Sequence, residues 1–390
     1  GGHGIRSKPG AFEGPPCRTG DRTYSVSLGN VPRTRSSSQL MVDGAERCFV
    51  PDLSLVHSRM GLKLTIGRVY HAWREYPRLR RALATFPPGP PIFVTGTHRS
   101  GTTWVGRMLA IPGLWFLHEP FNPNKGIWPD CFPYARPCDE RPDIDSFVRE
   151  LLLGRRRYLS GTGSVEHPLM PVRLLPQPFR RVLIKDPLAC LLTPYLCEHF
   201  GVQTLVLFRH PCGFVSSILR LGWPSAEFVR RLLECDALMA DHLAPVRDHL
   251  VRHSQDDGMA AAAALHGAIN TVLWNTCRDR GLRYACFEDL CRDPLLAFRE
   301  IFDSLGLPYD DSVRRMHEEL CNEGPSDPAA CSPHSVHRRS SAMAESWRSQ
   351  LKNAEIDAIR EVWDLFGIPL YESEADWATG AEVGVEISII

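Results

Sequence analysis

The stretch "PIFVTGTHRSGTTW", residues 91–104, carries the reading of the fold. Ile92, Phe93 and Val94 form an apolar run that feeds Gly96; after four more residues come Gly101, Thr102 and Thr103. A buried strand, a glycine-bounded loop and a helix opening at about Thr102 make a cradle for an anion. The glycines let the backbone curl so that successive N–H groups point inward, and the helix adds the partial positive charge of its N-terminus. Ser100, Thr102 and Thr103 supply hydroxyl donors, and Arg99 a forked cation. The nucleotide-hydrolysing form of such a loop has lysine after its second glycine; here that place is Thr102. The cradle therefore suits a phosphate-like group held without that lysine.

From residue 92 onward, apolar strands alternate with helices. Strand 92–95 leads to the helix from 102, and a short apolar piece, "LWFL", follows at 114–117. A Pro-rich loop and a helix near 145–153 precede strand "RVLIK" (181–185), a helix to about 199 and strand "QTLVLF" (203–208). A helix from about Gly213 and longer helical stretches at 226–250 and 259–280 follow, then strand "LRYACF" (282–287) and helix 295–305. Apolar strands joined through helices predict an α/β fold: a doubly wound parallel sheet of the P-loop type, helices on both faces, in a single domain over 90–372. Ligands of such sheets bind at the carboxyl ends of the strands. Residues 1–45, rich in Gly, Ser, Arg, Pro and Thr, predict a disordered arm. Residues 46–89 predict a helical extension, interrupted by Pro77 and closing in the hinge-like "FPPGPP", and 373–390 a tail.

Composition narrows the class. The chain has 390 residues with 43% hydrophobic and 23% charged content, that of a soluble globular protein. Its 45 basic and 45 acidic side chains balance, so no global field points to a nucleic-acid or membrane-surface partner. No apolar run approaches the ~20 residues of a membrane span. Thirteen scattered cysteines without a C-x-x-C pair fit a reduced, cytoplasmic compartment. His317, His334 and His337 share a polar loop with Cys321 and Cys331, at a spacing irregular for structural zinc, so no metal site is assigned.

A second anion site stands in "LVLFRHPCGFVSSIL". Arg209 ends a buried strand, Pro211 turns the chain, and Ser217 follows eight residues after Arg209, inside the next helix. An arginine at a strand's carboxyl end is placed for bidentate contact with a phosphate. A nucleotide-dependent kinase of the P-loop class is the first alternative, but it needs the loop lysine and a magnesium-binding aspartate after an apolar run. The nearest aspartate is Asp186 in "VLIKDP", where Lys185 precedes it and a cation beside a magnesium ligand is electrostatically wrong. A catalytically silent nucleotide-binding module is the second alternative.

"THRSGTTW" followed about 110 residues later by "RHPCGFVSS" resembles the two signatures of the sulfotransferases that use 3′-phosphoadenosine 5′-phosphosulfate, PAPS. Further similarity runs over roughly residues 90 to 370, through "YACFEDLCRDPLLAFREIFDSLGLPY" (284–309) and "RRSSAMAESWRSQL" (338–351). The resemblance implies that the loop Thr97, His98, Arg99, Ser100, Gly101, Thr102 and Thr103 takes the 5′-phosphosulfate. It implies that Arg209 and Ser217 take the 3′-phosphate, that Trp104 stacks on adenine unless it belongs to the core, and that Arg338 and Arg339 close over the nucleotide. PAPS is then the donor and PAP the product, with no metal required and a hydroxyl-bearing acceptor. "HEP" at 118–120 is closest to the carbohydrate-type and bacterial branch, which suggests a glycan or glycolipid. The branch acting on phenols and steroids has its catalytic histidine two residues past a strand-end lysine; here that place is Pro187. Glu119 resembles the glutamate of the sugar-directed branches and is a plausible general base, with His118 as its rival. Lys185 resembles the lysine that stabilises the departing phosphate oxygen.

Overall fold

The structure, a computed structural model, describes residues 86–125, 128–153, 181–322 and 340–378 together with positions 77 and 84. The expected arm, nearly all of the extension, the stretch carrying Cys331, His334, His337, Arg338 and Arg339, and the end of the tail lie outside the described residues. Five strands, β1 (Ile92–Gly96), β2 (Leu114–His118), β3 (Arg181–Lys185), β4 (Gln203–Phe208) and β5 (Arg283–Cys286), form one sheet in the order β2-β3-β1-β4-β5. Every pairing is parallel. Helix α1 (Thr102–Leu109) leads from β1 towards β2, α2 (Pro142–Leu152) precedes β3, and α3 (Thr193–Phe200) joins β3 to β4. Between β4 and β5 run α4 (Pro211–Leu221), α5 (Ser225–Leu233), α6 (Arg247–His253) and the long α7 (Met259–Arg280). Then come α8 (Phe287–Arg292), α9 (Pro294–Leu305), α10 (Asp311–Asn322) and α11 (Asn353–Asp364).

β1 is buried along its whole length because both faces of the sheet are covered. Ile92 and Val94 face Val105 and Met108 of α1 and Phe298, Ile301 and Phe302 of α9. Phe93 points the other way, into Ile144 and Phe147 of α2 and Tyr195 and Leu196 of α3. Burying each such side chain contributes about 1.5–3 kcal/mol. Helix ends carry the expected punctuation: Pro211 opens α4 and Gly222 closes it, Asp293 accepts the Leu296 N–H at the start of α9, and Gly306 ends that helix.

The expected helix at 226–250 is interrupted. α5 stops at Leu233, residues Met239–Leu243 widen into a π-turn, and α6 begins only at Arg247. Pro245 accounts for the break just ahead of α6: it has no N–H for the carbonyl of Asp241, and its ring crowds that carbonyl. His317 and Cys321, read from sequence as loop residues, lie inside α10. The imidazole of His317 is buried there, with hydrogen-bond contacts to Met108 O (2.7 Å) and Tyr309 Oη (3.2 Å).

Phe86 already sits in the core, and Arg181 donates to Pro90 O (2.6 Å) and Leu305 O (2.7 Å), so "FPPGPP" is fastened to the amino end of the sheet. At the far end Ser373 caps the turn Glu374–Trp377, whose Trp377 is buried. The strand order fixes where a ligand goes. The connection leaving β1 runs towards β2 on one side, while that leaving β4 runs to β5 on the other. The crevice opens between the carboxyl ends of β1 and β4.

Candidate active site

Both glycines of the loop are there for close approach as well as for curl. Gly96 (φ 150°) lies so near the carbonyl of Leu207 that a Cβ would collide with it, and Gly101 (φ 94°) lies equally tight against the ring of Phe287. Between them Arg99 adopts the left-handed conformation at φ 68°, unusual for a non-glycine residue. That turn brings the two sequence-predicted anion sites into contact. Arg99 Nε donates to Ser217 Oγ (3.0 Å), and Arg209 Nη1 donates to the carbonyl of Arg99 (2.6 Å). The separate 5′- and 3′-sites of the sequence reading therefore form one continuous patch. Arg209 lies over the Phe287 ring at 4.9 Å, and burial lowers its pKa from the usual guanidinium value, with the Glu288 carboxylate opposing the shift. Its Nε and the hydroxyl of Ser100 are buried and meet no hydrogen-bond partner among the described residues.

Not every loop side chain faces the crevice. Thr97 turns back to His266 of α7 (Oγ1 to Nδ1, 3.3 Å), and His266 Nε2 meets the carbonyl of Arg209 at 2.8 Å. A carbonyl only accepts, so Nε2 carries the proton and Nδ1 accepts from the Thr97 hydroxyl. One buried imidazole thus ties the β1 loop to the β4 turn. Burial brings its pKa down to about 3, so it stays neutral. His98 enters a box of aromatic rings beside the loop. Thr102 is buried at the start of α1, Thr103 is half-buried, and Trp104 packs edge-on against Phe298 (5.2 Å) and Phe287 (5.9 Å) beside the core.

Glu119, Lys185 and His118 come together by strand register. His118 pairs with Lys185 across β2 and β3, and the Glu119 N–H continues the ladder to Lys185 O (2.7 Å). The Lys185 ammonium, 1% exposed, forms an ion pair with Glu119 Oε1, while Asn122 Nδ2 donates to Oε2 (2.9 Å). His118 Nε2 stands 3.5 Å from Lys185 Nζ and 3.9 Å from Glu119 Oε1. Glu119 holds φ 53°, a second left-handed non-glycine residue at this site. Asp186 has another job. Its fully buried carboxylate accepts the backbone N–H groups of Phe121 (2.6 Å) and Leu188 (2.9 Å), fixing the turn after Glu119. Burial, with the charge of Glu119 added, pushes its pKa up to about 7.

Sequence reasoning missed the packing behind Arg209. Glu288 of "FEDL" accepts the His210 N–H (3.1 Å) and the Tyr371 hydroxyl (2.8 Å), and His210 stacks flat on Trp347 at 4.6 Å. It also missed His266, although a histidine inside the alanine-rich "MAAAAALHGAIN" was a visible signal.

The fold is an α/β one with a glycine-bounded strand–loop–helix at the switch point of a parallel sheet. No protein-family model and no curated protein matches the sequence. Among solved structures the chain is similar to a mouse sulfotransferase, SULT7A1, complexed with PAP, at 13% identity over 76% of this chain and 91% of that one, TM-score 0.38. It is also similar to the sulfotransferase domain of the olefin synthase of Synechococcus PCC 7002, at 19% identity over 74% and 98% of the two chains, TM-score 0.36. No described helix is long and apolar enough to cross a membrane.

Proposed function

We propose that the chain is a sulfotransferase that moves the sulfuryl group of PAPS to the hydroxyl of a carbohydrate or glycolipid. The observation that carries this reading is the joined patch of Arg99, Arg209, Ser217 and Ser100 at the β1–β4 crevice, with an unpartnered buried donor on both Ser100 and Arg209. Such donors fit the oxygens of a phosphorylated nucleotide, since unpaired buried donors oppose folding until an acceptor arrives. The kinase alternative is disfavoured because Asp186 is fully buried, with its carboxylate turned to the backbone N–H groups of Phe121 and Leu188, and because the loop has Thr102 in place of the lysine.

The residues divide the chemistry. The loop and Arg99 hold the phosphosulfate, and Arg209 and Ser217 hold the 3′-phosphate. Lys185 answers the negative charge that develops on the departing phosphate oxygen. An ammonium bound to Glu119 weakens that carboxylate as a base. The ion pair is thus the resting arrangement, and as Lys185 turns to the leaving oxygen, Glu119 is released to take the acceptor's proton. The new S–O bond forms on the hydroxyl oxygen as the old one to phosphate breaks.

The test is thermal denaturation with adenosine 3′,5′-bisphosphate or AMP, both without magnesium. The bisphosphate should stabilise the fold far more, because charge-assisted bonds to a 3′-phosphate contribute roughly 1.5–3 kcal/mol each. Arg209→Ala should erase the difference. Equal shifts with the two nucleotides would sink the assignment.

A further inference from the structure

We propose that His98 reads the acceptor: the box of Phe132, Phe214, Trp223 and Phe228 around its imidazole is a subsite for the hydroxyl-bearing ring of an uncharged acceptor, entered when Trp223 swings aside. This rests on the acceptor-hydroxyl reading above and narrows it to a chemical class.

The imidazole of His98 is buried at 4% exposure, and neither of its nitrogens meets a hydrogen-bond partner among the described residues. His266 and His317 engage both nitrogens, and His210 engages one, its Nδ1 accepting the Cys212 N–H. As a mere filler of an apolar box, histidine is the wrong residue, because its two polar atoms lose water and gain nothing. Four rings surround it, at centroid distances of 5.2 Å (Phe214), 5.4 Å (Trp223), 5.6 Å (Phe132) and 5.8 Å (Phe228).

Three walls are fixed and one is movable. Phe132 is held at φ 54°, costly for a bulky residue, with its N–H on Leu188 O (3.0 Å). The chain just after it is clamped by Asp241, which accepts from Tyr134 Oη (2.7 Å) and from Arg136 Nε and Nη2 (2.6 and 2.8 Å). Phe214 and Phe228 are buried on α4 and α5. Trp223, on the turn that follows Gly222, is half-buried where the other three walls are buried, and it stacks on the imidazole at 27°. A flat ring from a ligand can replace it in that stack.

The position fits an acceptor. His98 immediately precedes Arg99 in the loop, and its imidazole lies within electrostatic reach of Arg99 and Glu119. Burial is the main cause that lowers its pKa to about 3, so at neutral pH it offers one N–H and one lone pair. A hydroxyl both donates and accepts and can engage either. None of the four walls is charged, so an anionic glycan finds no counter-ion in the box.

The experiment is calorimetric titration of 2-naphthol, methyl β-D-glucopyranoside and a sulfated heparin disaccharide into the full chain, its His98→Phe variant and its His98→Gln variant. One neutral ring compound should bind, about tenfold more weakly to His98→Phe and nearly normally to His98→Gln, as expected for one lost and one restored hydrogen bond. Which of the two binds separates a phenolic from a pyranose acceptor. Adenosine 3′,5′-bisphosphate affinity is the control for an intact loop. Trp223→Ala, whose fold is checked by its adenosine 3′,5′-bisphosphate affinity, should change the ring compound's Kd by about fivefold or more. The inference is overturned if neither ring compound binds, if Kd is unchanged in His98→Phe or Trp223→Ala, or if the sulfated disaccharide binds best. Transfer of labelled sulfuryl from PAPS is read separately. Transfer without ring binding removes the box alone, and ring binding without transfer removes the sulfotransferase reading alone.

Discussion

Lys185 is almost wholly buried at the end of β3, and Glu119 is the carboxylate it finds there. A buried ammonium without a partner is strongly unfavourable, so the pair is required by the fold before it is used in chemistry. Glu119→Gln separates the two roles. It keeps the shape and an acceptor oxygen but removes the basicity and the charge. We expect sulfuryl transfer to fall by ~10²–10⁴-fold, the usual contribution of a general base. Donor affinity should change little, since the proposed function gives the nucleotide to Arg209 and the loop. The same substitution should lower stability by on the order of 3 kcal/mol, because Lys185 is left buried beside a neutral amide. His118→Ala should cost much less in rate, as His118 stands 3.9 Å from Glu119 and lies off the ion pair itself. Rate measurements on the two folded variants decide between the bases, and the reverse order makes His118 the base. Wild-type turnover in Glu119→Gln removes the mechanism.

At the level of elements, α7 matters because His266 projects from it into the gap between the β1 loop and the β4 turn. Its two hydrogen bonds and its stack on Phe214 (4.2 Å, 16°) hold the β1 loop and the β4 turn at one spacing. His266→Phe keeps the stack and deletes both bonds. It should lower stability by about 1–3 kcal/mol, since the Thr97 hydroxyl and the Arg209 carbonyl lose their partner. Calorimetry should show bisphosphate binding weakened as well; unchanged affinity would mean that the loops hold their spacing without α7. The elements themselves were largely legible in the sequence. β3 and β4 are short apolar runs bounded by turns, and α7 ends at a glycine in the left-handed conformation, so their limits follow from local chemistry. The break at Pro245 was equally local and was passed over. His266 was not readable in the same way, because its role exists only once α7 lies against two distant turns. The direction of His98 was hidden for a related reason: motif spacing places a residue in a loop but does not fix where its Cβ points.

For the molecule as a whole, buried titratable groups set how stability follows pH, and they act in opposite senses. His98 is neutral in the fold with a pKa near 3, whereas the same side chain titrates near 6.5 when unfolded. Between those values the unfolded chain binds a proton that the folded chain refuses, so this group's contribution to stability is lost as pH falls. Asp186 works the other way. Its folded pKa is about 7 against 3.8 for an ordinary aspartate, so between those values the folded chain keeps a proton that the unfolded chain has released. Its contribution declines as pH rises through that window. Each group tilts the dependence by up to about 1.4 kcal/mol per pH unit, the value of one proton. Urea unfolding between about pH 4.5 and 6 should therefore give lines of different slope for two single variants. In His98→Phe stability should rise less steeply with pH than in the wild-type chain. In Asp186→Asn it should rise more steeply, even though the midpoint drops, because the new amide meets the N–H of Phe121 or Leu188 with a donor in place of an acceptor. Slopes that move together, or that do not move, would mean that water reaches these groups in the folded chain and that the box around His98 and the turn behind Glu119 are less tightly closed than their packing indicates.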